Sequence, residues 1–175
     1  MKRLRLLALL LVFASCAPRV PFTQQIREEY KLTEDELKSI QFYVSHNIVL
    51  KRGEKMDKQK ATEDGALKIK SGQSVEGIVI KAGTRGVVEK VVDGNRLAIS
   101  FEVGDNTYLV FGEGKSMNGY YTLQATEWKD GRGTINYGDQ LYMSNAGSGS
   151  IYLLFKLKKL DQYRKKQKIV KGRKV

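Results

Sequence analysis

The chain has 175 residues, 31 of them Lys or Arg and 19 Asp or Glu, for a formal charge of +12, with two prolines and one cysteine. That is the length of one ordinary domain. A composition 41% hydrophobic and 29% charged excludes wholesale disorder, collagen-like repeats and a polytopic membrane protein, and a lone cysteine excludes an internal disulfide framework.

The charge is confined to the ends. Residues 156–175 hold ten bases and the single acid Asp161, residues 1–15 hold three more bases, and residues 16–155 hold 18 of each sign. A high pI points to a polyanionic partner, and here that inference reaches only the tail: Arg164, Lys165, Lys166, Lys168, Lys171, Arg173 and Lys174. Each base near an anionic surface adds about 1 kcal/mol of attraction.

At the start, Lys2, Arg3 and Arg5 precede an unbroken apolar run of nine residues, 6–14. Nine helical residues rise about 13–14 Å, less than half of the roughly 30 Å hydrocarbon core, so the segment reads as a secretory signal and not as a spanning anchor. It ends in Phe13-Ala14-Ser15-Cys16, which resembles the lipobox of bacterial lipoprotein precursors, with Phe13 where Leu is usual. The resemblance implies diacylglycerol on the Cys16 thiol, cleavage before it and further acylation of the new amino group. A thiol is a good nucleophile for lipid transfer, and two or three acyl chains give stable anchoring. Residue 17 is Ala, so the acidic inner-membrane sorting signal is missing, and the analogy favours the outer membrane on its periplasmic face.

The expected organisation is a signal peptide over 1–15, a lipid-anchored tether over 16–31, a helix with a short strand and polar loop over 32–65, a β-domain over 66–159 and a basic tail over 160–175. Pro18 and Pro21 favour an extended tether. Thr33 and Glu36 form a capping box, Leu32 and Leu37 a staple, and Glu34, Asp35 and Glu36 suit the positive end of the dipole, which predicts a helix from Thr33. Leu37, Ile40, Tyr43 and Val44 lie on one stripe of that amphipathic helix. Ile48-Val49-Leu50 reads as a strand and 52–65 as a loop. Period-two runs then follow at 67–70, 75–81, 86–92, 96–102, 107–111, 120–127, 141–143 and 151–158. Glycine and Asx turns separate them, among them Asp93-Gly94-Asn95, Asp130-Gly131 and Gly138-Asp139. The fold class is mainly β (α+β). Ala82-Gly83-Thr84-Arg85-Gly86-Val87-Val88, then Asp93-Gly94-Asn95 and Leu97-Ala98-Ile99-Ser100-Phe101, resemble the first strands of an SH3-like barrel, which implies a small antiparallel β-barrel preceded by one N-terminal helix.

Catalytic chemistry has little to stand on. Gly83-Thr84-Arg85-Gly86 lacks the Gly-Lys-Ser/Thr ending of a phosphate loop and leads into a strand, so it reads as a turn. His46 is the only histidine, and no serine sits in a Gly-X-Ser-X-Gly elbow. Glu102, Asp105, Glu113 and Glu127 could serve a glycan hydrolase only if they converged, and scattered solvated acids explain them better. No catalytic residue, metal site or cofactor is assigned. Tyr120, Tyr121 and Trp128 are the best guess for an exposed aromatic platform, and the loop 145–150 is flexible enough to approach a ligand.

The expectation is a non-enzymatic structural or adaptor module. It is bound to the membrane by its lipid and holds a protein partner or peptidoglycan. A carboxylate-dependent wall hydrolase and a polyanion-binding module working through the tail are the alternatives. Nucleic acid ranks low as a partner because the signal segment removes the chain from its compartment.

Overall fold

The computed structural model describes residues 18–52, 77–114, 117–160 and 173. The expected signal segment, Cys16, the strand over 67–70, most of the polar loop and the tail other than Leu160 and Arg173 lie outside the described residues; Leu160 is buried and Arg173 is exposed.

Twelve strands form among the described residues. They are β1 Arg19–Pro21, β2 Phe42–Val44, β3 Ile48–Lys51, β4 Gly77–Ile80, β5 Arg85–Val92, β6 Arg96–Ser100, β7 Tyr108–Glu113, β8 Tyr121–Leu123, β9 Glu127–Lys129, β10 Arg132–Tyr137, β11 Gln140–Ser144 and β12 Leu153–Lys156. Two short helices, α1 Gln24–Glu29 and α2 Glu34–Lys38, precede β2. All strand pairs are antiparallel, in a seven-stranded sheet ordered β1-β12-β2-β5-β6-β7-β8 and a five-stranded sheet ordered β4-β3-β11-β10-β9. The molecule is therefore mainly β, and no closed barrel forms among the described residues. Single bridges, Thr23 to Tyr120 and Thr122 to Tyr152, bring β8 against the β1–β12 side of the larger sheet, so that sheet curls without a continuous closing ladder.

The N-terminal region corrects two expectations. The amphipathic helix from Thr33 through Val44 is not there. The capping box at Thr33 and Glu36 is formed, but α2 stops after five residues at Ser39. Tyr43 and Val44 belong to β2, which is hydrogen-bonded on both sides, to β12 and β5. A buried Phe-Tyr-Val segment between two strands satisfies its backbone in two ladders, and a helix there would leave each neighbour unpaired on the side it turns to β2. The tether is likewise shorter than expected, because Arg19–Pro21 pairs with β12 in the register Arg19 to Lys156. Pro21 is tolerated there because β1 is an edge strand with one side of its backbone unpaired.

Tight turns fix the register. Asp130 and Gly131 join Lys129 to Arg132 with φ of 51° and 71°, the doubly positive backbone that two-residue hairpin loops need. Inside the larger sheet, Phe22 packs on Phe42, Tyr121 and Phe155 with ring centroids 5.1, 4.9 and 5.6 Å apart. These edge-on and tilted aromatic contacts add to the burial of each ring. Leu97, Ile99, Leu109 and Phe111 continue the same core.

Candidate functional site

On β7, Leu109 and Phe111 enter the core, so alternation sends Tyr108 and Val110 to the other face. After β8 the chain crosses between the sheets. The Gln124 N–H donates to the Val110 carbonyl of the larger sheet, and the Thr126 N–H donates to the Thr134 carbonyl of the smaller one, at 2.8 and 2.9 Å. The segment stitches β7 to β10. At the other end of this junction, the Gly138 N–H donates to the Asn106 carbonyl at 3.0 Å and Asn106 Nδ2 donates to Asp139 Oδ1 at 2.9 Å.

Between these stitches lies an open cleft of about 510 Å³, inside the roughly 300–1,000 Å³ of small-molecule sites. Arg96, Asn106, Tyr108, Gln124, Asn136 and Asp139 supply its polar lining, and Val110, Ala125 and Ile135 its apolar lining. Arg96 is ion-paired with Asp93. The Lys90 ammonium stands 4.6 Å from the Tyr108 ring centroid, within cation–π range. Gln124 Nε2 donates to the Thr122 carbonyl at 3.1 Å, which leaves its Oε1 as an acceptor. The side chains of Asn136 and Thr126, and the Tyr108 hydroxyl, make no hydrogen bond among the described residues.

The groups singled out in the sequence are dispersed. Tyr121 is fully buried against Phe22. Its hydroxyl accepts from Arg27 at 2.9 Å and lies 2.6 Å from Gln24 Oε1 and 2.7 Å from Asn95 Oδ1. Burial raises its pKa, against the lowering effect of Arg27. Tyr121 therefore cannot join an exposed platform. Tyr120 is half-buried, its ring 5.1 Å from that of Tyr152. Trp128 is 40% exposed and lies over Gly133 and Gly149. Tyr121 opens β8 and Tyr120 stands just before it in an isolated bridge to Thr23, and the tyrosine that turned inward is the one the aromatic core holds.

His46 is exposed, with Nδ1 2.9 Å from Ser45 Oγ. Glu102 accepts from the buried Tyr137 hydroxyl at 2.7 Å. Burial first, and the Glu102 carboxylate second, push the Tyr137 phenol well above the usual tyrosine range, so it stays a neutral donor at physiological pH. Glu113 ends β7 and Glu127 begins β9, both exposed. Among the described residues no group of three or more His, Cys, Asp or Glu is placed to hold a metal ion, and no helix is long and apolar enough to cross a membrane. In the loop 145–150, Ser148 is buried and its hydroxyl donates to the Asn145 carbonyl at 2.7 Å.

Sequence reasoning missed the cleft and the Arg27–Tyr121–Asn95 cluster. Their members come from positions 24 to 139, and no local spacing signals them. Compared with known proteins, the chain matches no family model, no curated protein and no solved structure.

Proposed function

We propose that this chain is a lipid-anchored lipoprotein of the cell envelope, held through Cys16 at the periplasmic face of the outer membrane. There it acts as a non-enzymatic binding module for a protein assembly or the cell wall. The observation that carries the binding reading is the cleft between the sheets, walled by strands and lined with polar groups, of which the Asn136 and Thr126 side chains and the Tyr108 hydroxyl make no hydrogen bond among the described residues. The anchoring half rests on the lipobox-like Phe13-Ala14-Ser15-Cys16. Its geometry is economical, because β1 begins at Arg19, three residues beyond Cys16, a reach of about 10 Å when extended. A body so tethered stays beside the headgroups, where the basic tail adds attraction to anionic lipid.

Two measurements test the halves separately. Radiolabelled palmitate enters the wild-type protein and is lost in Cys16→Ser; label retained in that variant overturns the anchor. A photo-crosslinking residue placed at Asn136 captures a specific protein or peptidoglycan in intact envelopes, and the same probe at the exposed Val103 does not. Identical capture at both positions, or none at either, overturns the binding module.

A further inference from the structure

We propose that the cleft recognises an uncharged polyhydroxy ligand, one or two rings of an N-acetylated sugar. This deepens the binding-module reading and rests on it.

The first argument is electrostatic. Arg96 and Asp139 line the cleft, Lys90 rests on its Tyr108 ring and Asp93 is paired with Arg96, so two bases stand against two acids; Asp139 also accepts from Asn106. A site selecting an anion or a cation concentrates charge of one sign, and this one does not. The second is the kind of polar group left unengaged. The Asn136 amide, the Thr126 and Tyr108 hydroxyls and Gln124 Oε1 together offer donors and acceptors on several sides of the cleft. Sugar hydroxyls are donors and acceptors at once, and an acetamido group is a donor–acceptor pair that a carboxamide matches. The third is the apolar lining of Val110, Ala125 and Ile135 beside the Tyr108 ring, a surface for the C–H faces of a pyranose.

The lining side chains stand on strands stitched together by the Gln124, Thr126 and Gly138 amides, which limits the entropy cost of ordering them on binding.

The test is calorimetric titration of the chain beginning at residue 16 with Cys16→Ser, which retains every described element. The probe is a tetramer of N-acetylglucosamine; the control is an oligogalacturonate of equal length. The inference expects saturable binding of the neutral oligomer, unchanged between low and high salt because no net charge is neutralised. Asn136→Ala and Tyr108→Ala each weaken it about tenfold, the effect of losing one or two well-formed hydrogen bonds. Asn136 is exposed, and an unchanged thermal melt of Asn136→Ala separates lost binding from lost folding. No saturable binding up to millimolar oligomer, equal binding by Asn136→Ala, or salt-sensitive binding of the galacturonate alone each overturns the sugar ligand. If a protein is nevertheless crosslinked specifically at position 136, the binding module survives and only the sugar is lost. If neither occurs, both fall.

Discussion

The two sheets obey the same antiparallel rules and differ in what they bury. In the larger sheet, Phe22, Phe42, Phe111, Tyr121 and Phe155 are all fully buried. The smaller one contributes Ile48, Leu50, Ile80, Ile135, Tyr137 and Tyr142 to the same buried cluster, but leaves Val79 57% and Leu141 65% exposed and all three residues of β9 exposed. One sheet is wrapped round its own aromatic centre; the other covers a flank with one face and leaves the second bare. A cleft at their junction therefore has one wall fixed by dense packing and one held mainly by turns and stitches.

The sharpest way to break that contrast is to hollow the aromatic centre. Phe22→Ala removes a ring in contact with three others and lowers stability by about 3–5 kcal/mol in urea denaturation. A loss under about 1 kcal/mol would show that the larger sheet is not the stabilising one. The junction comes next. A Cβ on Gly133 would stand 2.6 Å from the Ala125 Cβ and 2.9 Å from the Trp128 ring. Gly133→Ala accordingly costs about 1–3 kcal/mol of overpacking, and adding Trp128→Ala recovers part of it if the ring is the obstacle.

Smaller still is Tyr137→Phe, which removes one hydrogen bond to Glu102 and costs about 1 kcal/mol at neutral pH. It also changes the alkaline limb of stability. The folded-state pKa of Tyr137 is raised above the ordinary tyrosine value of 10.0. Its contribution is thus whole below pH 10.0 and declines as the pH rises beyond, because the unfolded chain ionises first. Tyr137→Phe flattens that decline without abolishing it, since burial raises the Tyr121 phenol in the same direction; an unchanged slope would mean the Tyr137 phenol titrates normally. At the bottom of the scale, Leu141→Ser on the bare face shifts the urea midpoint by less than the equivalent of about 0.5 kcal/mol, and a larger loss would reveal packing on that face.

Period-two alternation and Asx-Gly turns made most of the larger sheet legible, including β5, β6, β7 and the loop between β5 and β6. Strand β2 was hidden because Leu37, Ile40, Tyr43 and Val44 fit a helical stripe, and only pairing with two distant strands decides against it. Strand β10 was hidden because Gly133 takes an inward position where an apolar side chain would mark the period. Strand β1 carries a proline at its end and reads as linker until β12 is known to lie beside it. The cleft was illegible in principle: its lining runs from Arg96 to Asp139, and the hydrogen bonds that assemble it are made by backbone amides, which every residue but proline possesses.

The pairing of Arg19 with Lys156 has a mechanical corollary. The chain enters β1 and leaves β12 at the same end of the pair, so tension between the two termini opens this ladder as a zipper, one bond at a time, instead of shearing all its bonds together. A three-residue strand loaded in that way gives little resistance, and its release would free a few residues ahead of Phe22 while the aromatic centre stayed intact.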